Sequence, residues 1–439
     1  MPLEKIPARD VYDRLGANKQ RNYPSANRGA ERLQPYAQPA VRAGFAFDAD
    51  STIFATGSCF ARNVEKSLRF IDANVVSSPV EVLKGHDGPS ASNLFNKYTV
   101  HSILNEFRWA LSGQPVDHAA SLVADRDGRY YDLQVTAAKD VSGTLEEMTA
   151  FRAAYNGSFA RAGTADVVIM TLGLVECWFD TQTGLYLNAA PPKPLTLLYP
   201  DRFEFHRLDY ADVLAALEEI HGLLTAGKAS PPRILVTVSP VGLMSTFTDQ
   251  DVLVANTYSK AVQRAAVEAY VTTHDASYFP SYEYVTLTDH KFAWTNKDFR
   301  HVRQETVDRI MADVLLAYVG ESPQQRLLYT RGHATAKLEN DEADAACALI
   351  QAYAADQPLD GELLWIYAQA LRKTGRRQEC IDTCVTMIDM GTDYDRPAAR
   401  TALAAMKQLG LTEEMRALAE WYRDNMPDDQ DYIAPFLAA

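Results

Sequence analysis

Two fragments of the chain carry residue types and spacings that can do chemistry. The first is Gly57-Ser58-Cys59-Phe60-Ala61, which follows the short apolar run Ile53-Phe54-Ala55-Thr56 and precedes a helical pattern from Arg62 through Val64, Leu68 and Phe70. A strand that breaks at glycine and re-enters as a helix places the turn residues at a helix N-terminus. Free N–H groups and the helix dipole favour negative charge there. A serine in that position can attack a carbonyl, with its own N–H helping to hold the oxyanion it creates. The plainer reading is an N-cap serine with a buried cysteine beside it. Cys59 is a second nucleophile to weigh, because a thiolate at a helix N-terminus has a lowered pKa.

The second fragment is Trp294-Thr295-Asn296-Lys297-Asp298-Phe299-Arg300-His301. An Asp and a His three residues apart can meet across one turn, the carboxylate bonding one imidazole nitrogen and leaving the other free to take a serine proton. His290 lies close by in the chain and is the alternative base. Chance also produces such pairs, so the elements that position them matter.

Those elements alternate. The apolar runs Ile53–Gly57, Asp166–Gly173 and Arg233–Pro240 read as buried parallel strands. Asn74–Pro79 and Ala276–Val285 read as shorter ones. Helical patterns fall at about Lys97–Leu111, Leu145–Ala160, Ala211–Leu224 and Asn256–His274. Residues 117–141 hold turn signals of a hairpin, and 180–208, rich in Pro and turn formers, read as an insertion over the sheet end. Strand–helix alternation implies an open, mostly parallel sheet whose site lies beyond the carboxyl ends of the strands. Ser58, Gly173, Ser239 and the loop carrying Asp298 and His301 all follow strands, so they should gather on that edge.

Composition narrows the function classes. With 57 acidic against 43 basic residues the net charge is −14, which disfavours a general nucleic-acid binder. The five cysteines (59, 177, 347, 380, 384) show no paired framework and no CxxC, as expected in a reducing, cytoplasmic setting. The first residues lack an apolar segment, and no run of 18 apolar residues occurs, so no membrane span is expected. No His/Cys/Asp cluster has metal-ligand spacing and no Gly-rich phosphate loop is present, so no cofactor is called for.

At 439 residues more than one domain is expected. Residues 1–45 read as an extended arm, 46–325 as the α/β domain and 331–439 as a helical domain. In the last, Gly375 and Gly410 stand 35 apart, with Ala368, Leu371, Cys380 and Cys384 at small and apolar positions. This resembles a short tetratricopeptide-like bundle, with a degenerate earlier half from Ala345 to Pro358 and Pro427 at its end. Such a bundle implies a surface for a protein partner or a second copy of the chain; a plain helical extension is the other reading.

Gly57-Ser58-Cys59-Phe60-Ala61, with the distant Asp298-x-x-His301, resembles the GSCFA family within the wider SGNH/GDSL hydrolase-like group. Phe95-Asn96, Thr237-Val238-Ser239-Pro240 and Tyr278–Glu283 look like further family blocks, and the likeness covers roughly 40–320. The resemblance implies a flavodoxin-like three-layer α/β sandwich and a serine esterase or acyltransferase acting on a small-molecule or carbohydrate ester. Ser58 would be nucleophile, His301 general base and Asp298 its orienting partner. The wider group builds its oxyanion hole from the nucleophile's N–H, a glycine N–H and an asparagine amide. Here those would be Ser58, Gly173 and, because Val175 occupies the asparagine position, Asn96, with Asn93 as runner-up. Glu176 and His86 are candidate substrate contacts, with Glu176 otherwise a partner for an Arg and His86 otherwise a solvated loop residue; Cys177 and Trp178 read as core or pocket wall, and Glu283 as a brace. A non-catalytic scaffold, holding a ligand in the α/β pocket and partners on the helices, is the rival reading.

Overall fold

The computed structural model describes residues 2–48, 50–77, 91–135 and 141–438. It divides into two compact units, residues 1–303 with 314–320, and 304–313 with 321–439.

The first unit begins with α1 (Ala8–Ala17), which has no buried residue. The first 45 residues therefore include a helix and are not extended throughout. Their second half docks on the body: Ala37 N–H donates to Thr288 Oγ1, and Tyr36 lies against Phe292. Next come β1 (Thr52–Gly57), α2 (Cys59–Phe70), β2 (Asn74–Val75) and α3 (Val100–Leu111). Three short strands, β3 (Leu122–Ala124), β4 (Tyr130–Asp132) and β5 (Ser142–Gly143), make an antiparallel sheet that contains the expected hairpin. The chain continues through α4 (Leu145–Phe159) to β6 (Val167–Leu172).

The stretch after β6 is more ordered than its turn-rich composition implies. β7 (Glu176–Asp180), β8 (Leu185–Leu187) and β9 (Phe203–Arg207) form a second antiparallel sheet, with α5 (Lys193–Leu198) between its last two strands. Then follow α6 (Tyr210–Thr225), β10 (Arg233–Val238), α7 (Val252–Thr273) and β11 (Ala276–Tyr278). The strand expected over 276–285 ends at Tyr278, because Pro280 cannot donate to a ladder. Ser281–Thr286 instead forms α8, followed by α9 (His290–Ala293), while α10 (Gln304–Tyr318) gives residues 304–313 to the second unit and 314–318 to the first.

Among the described residues the main sheet has five strands, all parallel, in the order β2-β1-β6-β10-β11. Numbered along the chain that order is 2-1-3-4-5, so the winding reverses between β1 and β6. At such a switch point the crevice outside the strand ends is the binding place. Register sets the central strands level, Gly57 opposite Thr171 and Thr171 opposite Thr237. All six residues of β6 are buried, as strands covered on both faces require. One face meets α3, α4, α6 and α7 through Phe54, Val168, Met170 and Val236 against Phe107, Phe159, Leu217 and Val267. Truncating one of these to alanine should cost about 2–5 kcal/mol.

Beneath the segment leading into α3 lies a fully buried charge cluster. Lys97 donates to Glu106 and to Gln134 O, while Arg152 donates to both Glu106 and Asp132. Desolvation lowers Lys97 to about 8. Burial alone would raise Glu106, yet its two cations hold it below the usual carboxylate range.

The second unit contains α11 (Pro323–Glu339), α12 (Ala343–Ala354), α13 (Gly361–Lys373), α14 (Arg377–Asp389), α15 (Asp395–Leu409), α16 (Thr412–Asn425) and α17 (Gln430–Leu437). Helix thus begins before 331: Ser322 caps α11 by accepting Gln325 N–H, with proline at the first helical position. Gly375 and Gly410, at φ +75° and +72°, make the left-handed turns between α13 and α14 and between α15 and α16. The helices pack through small and apolar positions including Ala368, Leu371, Cys380, Cys384 and Ala398. Among the described residues no helix is long and apolar enough to cross a membrane.

Candidate active site

Ser58 follows β1 and caps α2, its Oγ accepting Phe60 N–H at 3.3 Å and lying 3.4 Å from Thr171 Oγ1. The turn before it is severe. Gly57 has φ +130°, and a Cβ on it would sit 2.1 Å from Thr171 O, so only glycine lets the chain leave β1 this way. Ser58 N–H, expected to face an oxyanion, donates instead to Thr171 O at 3.0 Å. The parallel ladder runs one residue past the strand and takes that amide. Ser58 is 3% exposed.

Cys59 is only partly buried, not turned fully inward. Desolvation raises its thiol, outweighing the nearby cations of Arg300 and Lys260 and the N–H groups at the start of α2. That opposes the thiolate which nucleophilic cysteine chemistry needs.

Asp298 and His301 form the pair expected of them. His301 Nδ1 hydrogen-bonds one carboxylate oxygen of Asp298. The other accepts His301 N–H and Arg300 N–H, each at 3.1 Å, and Thr295 Oγ1 at 3.0 Å. The His301 N–H bond is the main reason Asp298 is held well below the usual carboxylate range. The turn is closed by a bridge between Trp294 and Val302, and Phe299 sits at φ +52°. A bulky residue in the left-handed region costs about 1–2 kcal/mol, which the surrounding bonds offset. The His301 side chain is 49% exposed. Among the described residues no hydrogen bond joins Ser58 to His301 or Asp298. His290, exposed, lies against the Phe299 ring at 5.4 Å.

The candidate oxyanion groups flank Ser58. A Cβ on Gly173 would lie 3.3 Å from Ser58 Cβ and 2.5 Å from Tyr98 O, so the two strand ends touch because residue 173 has no side chain. Asn96 is buried and pairs with Gly57 in a parallel bridge. Its Nδ2 is 3.3 Å from Asn93 Oδ1, and its own Oδ1 has no hydrogen-bond partner among the described residues. Asn188 fixes this segment by donating to Asn96 O and accepting Tyr98 N–H. Val175 is buried and its N–H donates to Ser259 Oγ. Glu176 accepts Thr246 Oγ1 at 2.6 Å and Phe247 N–H at 2.9 Å, so it anchors the loop after β10. Cys177 is core, its thiol pushed up to about 12 by burial. Glu283 braces Arg264 and Tyr278. His86 lies outside the described residues.

Several residues of this edge were not expected from sequence. Asn256, Ser259, Lys260 and Gln263 make a polar stripe along α7 at i, i+3, i+4, i+7 spacing, and that stripe holds the strand-end loops. Asn256 Oδ1 accepts Leu243 N–H, and Ser259 takes Val175 N–H. Lys260 Nζ donates to Gly173 O at 2.7 Å and Val241 O at 2.8 Å, and Gln263 Nε2 to Gly173 O at 2.9 Å. Burial lowers Lys260 to about 7. The signal was present as polar side chains at helical spacing within a helix destined for the core. Tyr98 and Arg300 also belong to this edge: burial raises the Tyr98 phenol, Cys59 adds to that, and Arg300 offsets part of it.

No curated protein and no solved structure shows significant similarity to this chain. The family model described as GSCFA family matches residues 52–313, which takes in Ser58, Gly173, Asp298 and His301. That span is more than half of the chain, and the protein belongs to the GSCFA family.

Proposed function

We propose that the first unit is a serine-dependent acyl-ester hydrolase or O-acyltransferase, with Ser58 as nucleophile, His301 as general base and Asp298 as its orienting partner. The observation that carries this reading is the Asp298–His301 pair, which leaves His301 Nε2 as the free imidazole nitrogen, on a loop following the sheet whose switch point presents Ser58. The 2-1-3-4-5 strand order supports a flavodoxin-like, SGNH-type architecture. The paired helices with Gly375 and Gly410 at their turns support a tetratricopeptide-like second unit. The cysteine usage supports a cytoplasmic setting.

In this mechanism Ser58 Oγ leaves the Phe60 N–H and adds to the ester carbonyl, while its proton passes to His301 Nε2. The tetrahedral oxyanion is met by Gly173 N–H and the Asn96 amide, the Ser58 N–H being committed to Thr171. One such donor is worth roughly 3 kcal/mol. Collapse breaks the ester C–O bond, and His301 returns the proton to the leaving alkoxide. Water or a sugar hydroxyl, deprotonated by His301, then adds to the acyl carbonyl; collapse breaks the Ser58 Oγ–acyl bond and His301 returns that proton to Ser58 Oγ. Because Ser58 and His301 are not hydrogen-bonded in this structure, substrate entry must bring them together by rotation of Ser58 χ1 or closure of the 294–302 turn; catalytic bonds are often long before substrate binds.

A second reading, ligand binding without covalent chemistry, has its own observation: Ser58 is covered and its N–H is taken. A fluorophosphonate probe with p-nitrophenyl acetate turnover separates the two. Labelling lost in Ser58→Ala and in His301→Ala supports the enzyme. An unlabelled wild type with background turnover supports the binding protein.

A further inference from the structure

The second unit contains a cavity of about 470 Å³, within the usual range for small-ligand sites. Arg372, Arg377 and Arg400 line it, with Thr401, Gln408 and Tyr432, over a floor of alanines on α15. The turn Arg372-Lys373-Thr374-Gly375-Arg376-Arg377 supplies four cations, and they fall into two groups. Lys373 is paired with Asp341 and Arg376 with Glu379. Arg372 and Arg377, the two that face the cavity, meet no carboxylate among the described residues, and Arg377 Nε is held by the neutral amide of Gln408 at 2.7 Å. Arg400 is balanced by Asp429. The cavity wall therefore holds two uncompensated guanidinium groups in a chain whose net charge is −14.

We infer that the Arg372–Arg377 cavity binds a small ligand bearing a doubly charged oxyanion, of the phosphate-monoester or dicarboxylate class. Two positive forks match two negative charges, and guanidinium geometry favours bidentate pairing with either group. Gln408 keeps Arg377 extended toward the cavity, which reduces the ordering cost of binding. Gly375 permits the tight turn that brings the end of α13 and the start of α14 to one side. The site stands apart from Ser58 chemistry and does not depend on it.

Calorimetric titration of the full chain at low salt tests this, with inorganic phosphate, O-phosphoserine and succinate as separate titrants. Saturable one-to-one binding of at least one of them is expected. Arg372→Gln and Arg377→Gln should each weaken it about tenfold or more, since each removes a charge-assisted hydrogen-bonding fork. The exposed Arg416→Gln should leave it unchanged. Tighter binding of phosphoserine than phosphate assigns an ester, and binding of succinate alone a dicarboxylate. Both arginines are exposed, so the variants remove no core packing. Should one fail to fold, Arg372→Lys keeps the charge, loses the fork and should bind with intermediate affinity. No saturable heat with any of the three anions, or affinity unchanged in the Arg372→Gln/Arg377→Gln double variant, overturns the assignment.

Discussion

Lys260 Nζ lies 2.7 Å from the carbonyl oxygen of Gly173, and among the described residues no carboxylate shares that ammonium. A buried cation balanced only by carbonyl dipoles is costly while charged. Burial holds the folded-state pKa near 7, whereas an unfolded lysine stays charged to about 10.4. Below pH 7 both states carry the proton and the cost is fully present. Between the two values the unfolded chain binds more protons, so this group makes stability rise with pH. Over the whole window the contribution is on the order of 5 kcal/mol. Urea unfolding of wild type and Lys260→Met at pH 6.5 and 9.5 measures it. The wild type should gain more stability across that interval, and parallel pH dependence in the two proteins would remove Lys260 as the source.

Asp298→Asn should preserve the turn while weakening its hold on the imidazole. If His301 serves Ser58, ester turnover should drop about 10³–10⁴-fold with the fold intact. Probe labelling at the wild-type rate in Asp298→Asn would show that the pair does not act on Ser58.

The close approach of β1 and β6 makes Gly57→Ala a severe change. A methyl group 2.1 Å from Thr171 O must push the strands apart, on a backbone at φ +130°. A loss on the order of 3 kcal/mol is expected, read as a lower urea midpoint. An alanine variant as stable as wild type would mean that the turn relaxes freely.

The raised thiol of Cys59 predicts slow alkylation. At pH 7.5 it should react with iodoacetamide more slowly than a free cysteine. Cys59→Ala should retain full probe labelling at Ser58; loss of labelling would transfer the nucleophile role to the sulfur.

The parts of this molecule legible in sequence are those set by local pattern. β1, β6 and β10 appear as apolar runs because both of their faces are covered, and Asp298 and His301 meet within one turn, so their spacing was enough. The acceptor of Ser58 N–H depends on register between strands more than a hundred residues apart. It was invisible until Gly57 stood opposite Thr171. The β7–β9 sheet hid behind turn-forming residues, and Pro280 converted an apparent strand into a helix start. The α7 stripe was readable in principle, but polar side chains on a long helix suggest solvent before they suggest a clamp.

Lys97, Glu106, Arg152 and Asp132 form a closed set of two positive and two negative charges, all without access to water. Replacing one member strands an unbalanced charge, at a cost of about 3–5 kcal/mol, whereas replacing the group by packed apolar residues need cost nothing. The four positions are therefore epistatically locked. Divergence within the family should keep the quartet whole or exchange it as a unit, and single changes should be tolerated only in backgrounds where a second has already restored neutrality. Three of the four stand on α3, α4 and the segment that crosses the end of β1, so this lock ties the inheritance of the site's frame to residues that never touch a substrate.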